Sequence, residues 1–410
     1  MNRLAESYVR LVLAVGQHDA DYVDAFYGPE EWKTKAATAK MPLEAIKKKA
    51  VATVAELRMV APARLDETLQ LRHQYLVRQL QALYAKVDLL SGRKMTFDEE
   101  SLALYDAVAP TYTEDHFKQI LQELSSLLPG SGTVSERYEA FKREFIIPRD
   151  KLDTVFTAAI EESRRRTKER IPLPDDESFI VEYVTGKSWS GYNWYKGNSH
   201  SLIQVNTDLP IYIDRAIDLA SHEGYPGHHV YNALLEKHLV REKRWIEFTA
   251  YALFSPQSLI AEGTANYGIE MAYPENERIA FERDVLFPVA ALDGSKAAQY
   301  YQGHAIFLKL NYAGNEAARK YLNGDISREK AARWLTDYAL MPPDRALQRT
   351  KFFDQYRSYV INYNLGQDIV KRHIESRGGT PDKPEKRWRE FEALLSTPRV
   401  PSGLTGKSAK

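Results

Sequence analysis

The sequence predicts a mostly α protein carrying one small β-sheet next to a histidine-bearing helix. Three observations predict it. Apolar residues recur at helical spacing over most of the 410 residues. One short region, residues 171–209, changes to an alternating, glycine-punctuated texture. No fixed-period repeat interrupts either pattern.

In chain order, Leu65, Leu69, Leu76, Leu80 and Leu83 suit one long amphipathic helix, and Phe117, Ile120, Leu121, Leu124 and Leu128 another. The second ends at the breaker cluster Pro129-Gly130-Ser131-Gly132. Ser135 opens a helix that Pro148 closes, and the stretch from Asp150 to Arg166 is helical again. The basic run at 164–170 reads as a solvated helix end, where the helix dipole favours cations. Beyond Ile171, alternation around Ser201–Val205 predicts a short strand, with turns at Gly191 and Gly197. After Pro210, helical spacing resumes at Ile213, Ala216, Ile217 and Ala220 and leads into His222. Further helices are expected at 256–271, 276–292, 296–322, 327–340, 350–376 and 385–396. The expected organisation is a helical region over 1–148, a catalytic region over 149–400 in one integrated fold, and a disordered tail at 401–410.

Lys+Arg and Asp+Glu are equal at 56 each, so no global field favours nucleic acid or an anionic membrane. The absence of cysteine excludes disulfides, thiolate nucleophiles and thiolate metal ligands. The N-terminal stretch lacks the long apolar core and small-residue cleavage site of a signal peptide, and no run approaches a membrane span. A cytoplasmic location is therefore expected, or a periplasmic one if a leader once preceded Met1.

Chemistry concentrates in His222-Glu223-Gly224-Tyr225-Pro226-Gly227-His228-His229. A zinc helix commonly reads H-E-x-x-H, and here Pro226 stands where the second histidine belongs. Two imidazoles share one zinc only when their nitrogens approach to about 3–3.5 Å. On a continuous helix, His222 and His228 diverge by about 120°, and His222 and His229 lie about 10 Å apart along the axis. A shared site therefore requires a broken helix. Gly224 and Gly227 permit unusual backbone angles, and Pro226 removes a donor and clashes with a preceding turn. A looped-out turn would return the next histidine over His222 and leave Glu223 beside the metal as a general base. The bland reading is a helix end followed by a turn with solvated histidines. Against it stands Glu262, set among the apolar Leu259, Ile260, Ala265 and Ile269 on a separate helix, where a third ligand would come from.

At these two motifs the sequence resembles a bacterial family of zincin-like proteins of unknown function, marked by H-E-x-x-P-G-H-H followed by E-G-W-A-x-Y-x-E. The first motif stands in full. In the second, Glu262-Gly263, Ala265 and Tyr267 match, Thr264 replaces the tryptophan, and Glu270 falls one residue late. That family is similar to the helical gluzincins thimet oligopeptidase and Taq carboxypeptidase, whose active helix reads H-E-F-G-H. The resemblance implies a large helical zincin-like metallopeptidase holding Zn²⁺ on His222, His228 and Glu262. Alignment on the Gly-His pair favours His228, with His229 as the alternative. It implies Glu223 as the general base, and Tyr363 of Tyr363-Asn364-Leu365-Gly366 as the oxyanion donor, with Tyr301 and His304 as weaker candidates. The Arg-Tyr and Pro-Gly-Gln that usually precede that last element are not recognisable. In relatives of this architecture an edge strand holds an extended peptide, a role that residues 200–208, flanked by His200 and Asn206, would take here.

Three functions stay open at this point. A zinc metallopeptidase acting on a peptide or small amide is the leading one. A zinc hydrolase of other amides, esters or lactones shares the same site chemistry. A helical binding or scaffold protein with a decayed metal site is the third. No nucleic-acid or membrane partner is expected.

Overall fold

The computed structural model describes residues 1–187 and 189–406. The fold is mostly α, as the periodicity predicts, but it carries two small sheets rather than one. In the first, β1 (Val23–Phe26) pairs antiparallel with β5 (Ala250–Ala252). In the second, β2 (Ser178–Val184), β3 (Gly191–Gly197) and β4 (His200–Asn206) are arranged β2-β4-β3. There β2–β4 is parallel and β3–β4 antiparallel. Along β4, Ser201, Ile203 and Val205 are buried and alternate with half-exposed neighbours, so one face of the sheet packs inward. The short β1 and β5 lack alternation, and their partners lie more than 200 positions apart, which is why the sequence does not reveal them.

Helix boundaries follow capping chemistry. The long leucine helix begins after Asp66, whose side chain accepts from Leu69 N at 2.8 Å. The expected start at Ser135 moves to Val134, because Thr133 and Glu136 form a capping box there. Two expected long helices are broken. Residues 296–322 form Ala297–Leu308 and Ala313–Leu322, and the carbonyl of Asn311 in the break accepts from Asn364 Nδ2 at 3.2 Å. Residues 350–376 split at Arg357, which has φ 51, between Pro343–Tyr356 and Ile361–Ser376. Buried Glu100 causes this break. Its carboxylate accepts from Arg357 Nε at 2.6 Å, Ser358 N at 3.1 Å and Ser358 Oγ at 2.7 Å, which replaces the helical ladder at that turn.

Residue 148 is not a seam. One apolar core joins Tyr8, Leu76, Leu83 and Phe97 of the N-terminal part to Leu234, Tyr267, Val360 and Phe391. A fully buried ion pair, Arg72–Glu247, ties the two parts with bonds of 2.5 and 3.0 Å. A second core around Phe145, Phe156, Ile217, Phe287 and Tyr300 lies beneath the sheet of β2–β4. The expected disordered tail is packed at its start. Pro401–Leu404 forms a helical turn, Ser402 N donates to Asp106 Oδ2 at 2.9 Å, and Leu404 is buried. Residues 407–410 lie outside the described residues. Among the described residues, no helix is long and apolar enough to cross a membrane.

Candidate metal centre

The helix Asp214–Leu219 runs into a π-helical turn, Ala220–Gly224, that carries His222 and Glu223. The chain then reverses. Tyr225 N donates to Ala220 O at 3.0 Å and Gly227 N to Ser221 O at 2.9 Å, and a new helix starts at His228. A Cβ on Gly227 would lie 1.9 Å from the carbonyl oxygen of His222 and 2.4 Å from that of Ser221. No other residue fits, and this close approach is what lets two extra residues be looped out.

Glu262 arrives on the helix Pro256–Ala272, which crosses Ile361–Ser376 at a pair of glycines. A Cβ on Gly263 would meet the backbone of Gly366 at 2.4 Å, and one on Gly366 would meet Leu259 O at 2.6 Å. The Glu-Gly of one helix and the Tyr-x-x-Gly of the other are therefore two sides of one contact. It sets Glu262 and Tyr363 in the same cleft.

His222 Nε2 and His228 Nε2 stand 3.1 Å apart, and Glu262 Oε2 is 3.2 Å from the first and 3.6 Å from the second. Three ligands at 2.0–2.1 Å from one tetrahedral zinc would be separated by about 3.4 Å. The tautomer fits as well. Asn266 Nδ2 donates to Tyr363 O at 3.0 Å, which turns Asn266 Oδ1 towards His222 Nδ1, also at 3.0 Å. His222 therefore keeps its proton on Nδ1 and presents the Nε2 lone pair to the centre. Glu262 Oε1 accepts from Tyr359 Oη at 2.8 Å, while Oε2 is buried without a hydrogen-bond partner. Three acceptors face one another, an arrangement that needs a shared proton or a cation between them. The residues present fit a divalent metal.

The electrostatics agree. Burial alone would raise the Glu262 carboxyl, but the facing imidazoles of His228 and His222 outweigh it and hold the group well below the usual carboxylate range. Burial pushes His228 down, while Glu262, Glu223 and Asp24 overcome it and lift its pKa to about 9. Glu223 is raised, chiefly by burial, against the pull of His222 and His228. Tyr363 is raised further, by burial and then by Glu262, with Arg349 opposing, so its phenol stays protonated.

These groups line a cleft of about 710 Å³. Its sheet-side wall is β3, with Gly191, Tyr192 and Asn193, and Asn193 Nδ2 donates to the carbonyl of Glu223 at 2.7 Å.

No family model matches the chain, and no curated protein matches it. Solved structures do. A candidate lipoprotein from Colwellia psychrerythraea superposes with a TM-score of 0.54 and 16% identity, over 90% of this chain and 70% of its own. A second, from Shewanella oneidensis and of unknown function, gives 0.50 and 12% over 91% and 78%. A protein named CHT gives 0.50 and 12% over 97% and 90%. The fold is shared. At these identities the likeness speaks for the fold alone.

The structure separates the sequence candidates. His222, Glu223, His228, Glu262 and Tyr363 meet in the cleft. His229 does not. It is fully buried, with Nδ1 2.9 Å from Ser201 Oγ and Nε2 3.1 Å from Glu177 Oε2, so neither nitrogen is free to face the trio. Tyr301 is a correction. Its hydroxyl donates to Glu282 in the second core, and the residue does not line the cleft. His304 does line the cleft. Its Nδ1 faces Asp214 Oδ2 at 3.9 Å, its ring packs among Tyr300, Tyr301 and Phe307, and it has no contact with the trio or Glu223 among the described residues. The strand at 200–208 is also corrected: β4 is central, and the edge facing the cleft is β3. His200 and Asn206 bond Ser178 Oγ and the carbonyls of Lys187 and Trp189, and neither lines the cleft. Sequence reasoning missed Tyr359, Asn266, Asp24 and Arg349. Asn266 alone left a trace, four residues beyond Glu262 on one helical face.

Proposed function

We propose that the protein is a zinc-dependent hydrolase that cleaves peptide bonds. One observation carries the reading: three lone-pair donors, His222 Nε2, His228 Nε2 and Glu262 Oε2, converge at 3.1–3.6 Å with Glu262 Oε2 buried and unpartnered. Zinc held there would supply Lewis acidity and an acidified water. Glu223 takes up a proton from the attacking water and returns it to the leaving amine. Its raised pKa suits a group that must both accept and release. A Cβ on residue 191 would come within 2.9 Å of Glu223 Oε1, so glycine at this position keeps the carboxylate open to the cleft. Tyr363, protonated and lining the same cleft as Glu262 and Glu223, donates to the oxyanion that develops on the scissile carbonyl. Peptide substrates are favoured over other amides by the edge strand β3, whose backbone can pair with an extended chain along the cleft.

The test is metal content together with hydrolysis of a peptide library. One zinc per chain is expected, with cleavage that disappears in Glu223→Gln while the metal remains. Protein that takes up no zinc after reconstitution at neutral pH would overturn the reading. Zinc uptake with ester but no peptide cleavage would move the function to another hydrolase class.

A further inference from the structure

The motif ends in two histidines, and the metal centre uses only the first of them. His228 and His229 are consecutive on one helix, about 100° apart around its axis, so they face different neighbours. His229 faces the sheet, where it meets Glu177, the residue that precedes β2. The Glu177 carboxylate is a hub. Its Oε2 accepts from His229 Nε2 at 3.1 Å and from the Tyr225 hydroxyl. Its Oε1 accepts from Arg164 Nε at 3.0 Å and Nη2 at 2.6 Å. With the Nε2 proton directed to the carboxylate, His229 Nδ1 is left as an acceptor for Ser201 Oγ on β4, 2.9 Å away. Glu177, Tyr225, His229 and Ser201 are all buried, so water does not compete for these bonds. Burial by itself would raise the Glu177 carboxyl, but the bonds from His229, Tyr225 and Arg164 outweigh it and hold the group below its ordinary value.

The two partners of Oε2 flank the looped-out segment. Tyr225 stands before Pro226-Gly227-His228, and His229 directly after it. One carboxylate oxygen therefore closes the turn across its base. The ring of Phe179 on β2 packs against both flanks, with centroids 5.1 Å from Tyr225 and 5.3 Å from His229. Closure matters because this turn lies outside the regular helical ladder, so it has conformational freedom that a continuous H-E-x-x-H helix lacks. A metal ligand, by contrast, has to be held to within about 0.5 Å. A buried network whose members are all hydrogen-bonded selects one geometry where apolar packing tolerates several. We propose that Glu177 is a positioning residue of the metal centre: by joining Tyr225 to His229 it closes the turn and holds His228 within reach of His222 and Glu262. This rests on the metal-centre reading above, and it gives the second histidine of the motif its role.

The test combines zinc affinity, from competition with a chromophoric chelator, with the visible spectrum of the cobalt(II)-loaded protein, which reports ligand number and geometry. In Glu177→Gln, Arg164 claims the amide oxygen and an NH2 group faces the His229 N–H. Zinc affinity should fall about 10–100-fold, and the cobalt bands should weaken as His228 withdraws. His229→Leu should give the same two changes. His229→Gln keeps an N–H within reach of Oε2 and should recover most of both. Leu57→Ala is the control: it empties a buried position in the helix Leu43–Arg58, and should lower the melting temperature while affinity and spectrum stay unchanged. Parent-like affinity and spectrum in folded Glu177→Gln overturn the proposal. So does a His229→Gln protein that binds no better than His229→Leu. An equal loss of affinity in Leu57→Ala overturns it too, because the effect would then be one of stability alone. If Glu177→Gln fails to fold, Tyr225→Phe decides, since it removes a single hydroxyl. A weaker zinc affinity with an altered cobalt spectrum then supports the proposal, and parent values overturn it. A parent chain that takes up no zinc defeats the metal-centre reading and this proposal together, whereas zinc-binding variants with parent values defeat this proposal alone.

Discussion

Tyr359 donates to Glu262 Oε1 from a buried position, and Asn266 fixes the His222 tautomer; neither touches the centre. Groups of this kind orient ligands, and their loss commonly lowers metal affinity by about 10–100-fold. Tyr359→Phe is therefore expected to weaken zinc by that factor in a competition titration against a chromophoric chelator, with the fold intact at saturating metal. An unchanged affinity would show that Glu262 needs no second partner. Asp24, on β1, carries a pH prediction. Burial raises its carboxyl from 3.8 to about 6, with Glu262 and Glu223 adding to the rise and the Tyr192 hydroxyl and His228 opposing it. A carboxyl raised by folding favours the native state below its unfolded pKa, and that contribution is lost as pH climbs from 3.8 to about 6. Above that window Asp24 remains as a half-buried carboxylate next to the Tyr192 hydroxyl. With chelator present, Asp24→Asn should stabilise the protein at neutral pH by on the order of 2 kcal/mol and have little effect near pH 4; a shift in melting temperature that is equal at both pH values would refute the assignment. At this scale, histidine and glutamate stood out because their types crowd into eight positions. Tyr359, Asp24 and Arg349 are a common tyrosine, aspartate and arginine that only folding brings to one cleft.

The elements that hold the site depend on glycine where backbone meets backbone. Gly227→Ala would drive a methyl into two carbonyls, at 1.9 and 2.4 Å. It should cost about 3 kcal/mol or more in stability and abolish zinc binding. Gly366→Ala meets Leu259 O at 2.6 Å and pushes apart the helices bearing Glu262 and Tyr363. The expected result is a milder loss of stability with a clear loss of zinc affinity, read by calorimetry and titration. The reverse ranking would mean that the helix crossing does not set the site. Much of this layer was legible: the break at Gly224–Gly227 follows from the incompatibility of helical spacing with shared ligation. The interruption at Arg357 was not, because it is imposed by Glu100, more than 250 positions away, and the local pattern around it is helical. β4 looked like an edge because it precedes the histidine helix in sequence, whereas strand order is decided by β2 and β3 closing on either side of it.

The N-terminal part of the molecule has no signature of chemistry in its sequence, yet the cleft is incomplete without it. β1 carries Asp24 to the cleft wall and pairs with β5, Glu100 seats the turn that starts the run to Tyr359 and Tyr363, and Arg72 neutralises the fully buried Glu247. Periodicity found these helices but could not say what they cover, since an apolar stripe does not name its partner. A chain beginning at residue 149 would leave Glu247 charged and unpaired, strip the edge from β5 and remove the helices Glu67–Leu90 and Phe97–Tyr105 from their packing on Pro256–Ala272. A buried charge deprived of its partner alone costs about 3–5 kcal/mol, a large share of the stability of a typical domain. The shortened chain should therefore show no cooperative melt and bind no zinc stoichiometrically, while residues 1–148 supplied in trans should restore both only if they re-form the β1–β5 pairing. A cooperative melt and full zinc binding by the shortened chain alone would mean that residues 149–406 constitute an independent catalytic domain and that the shared core is a docking surface.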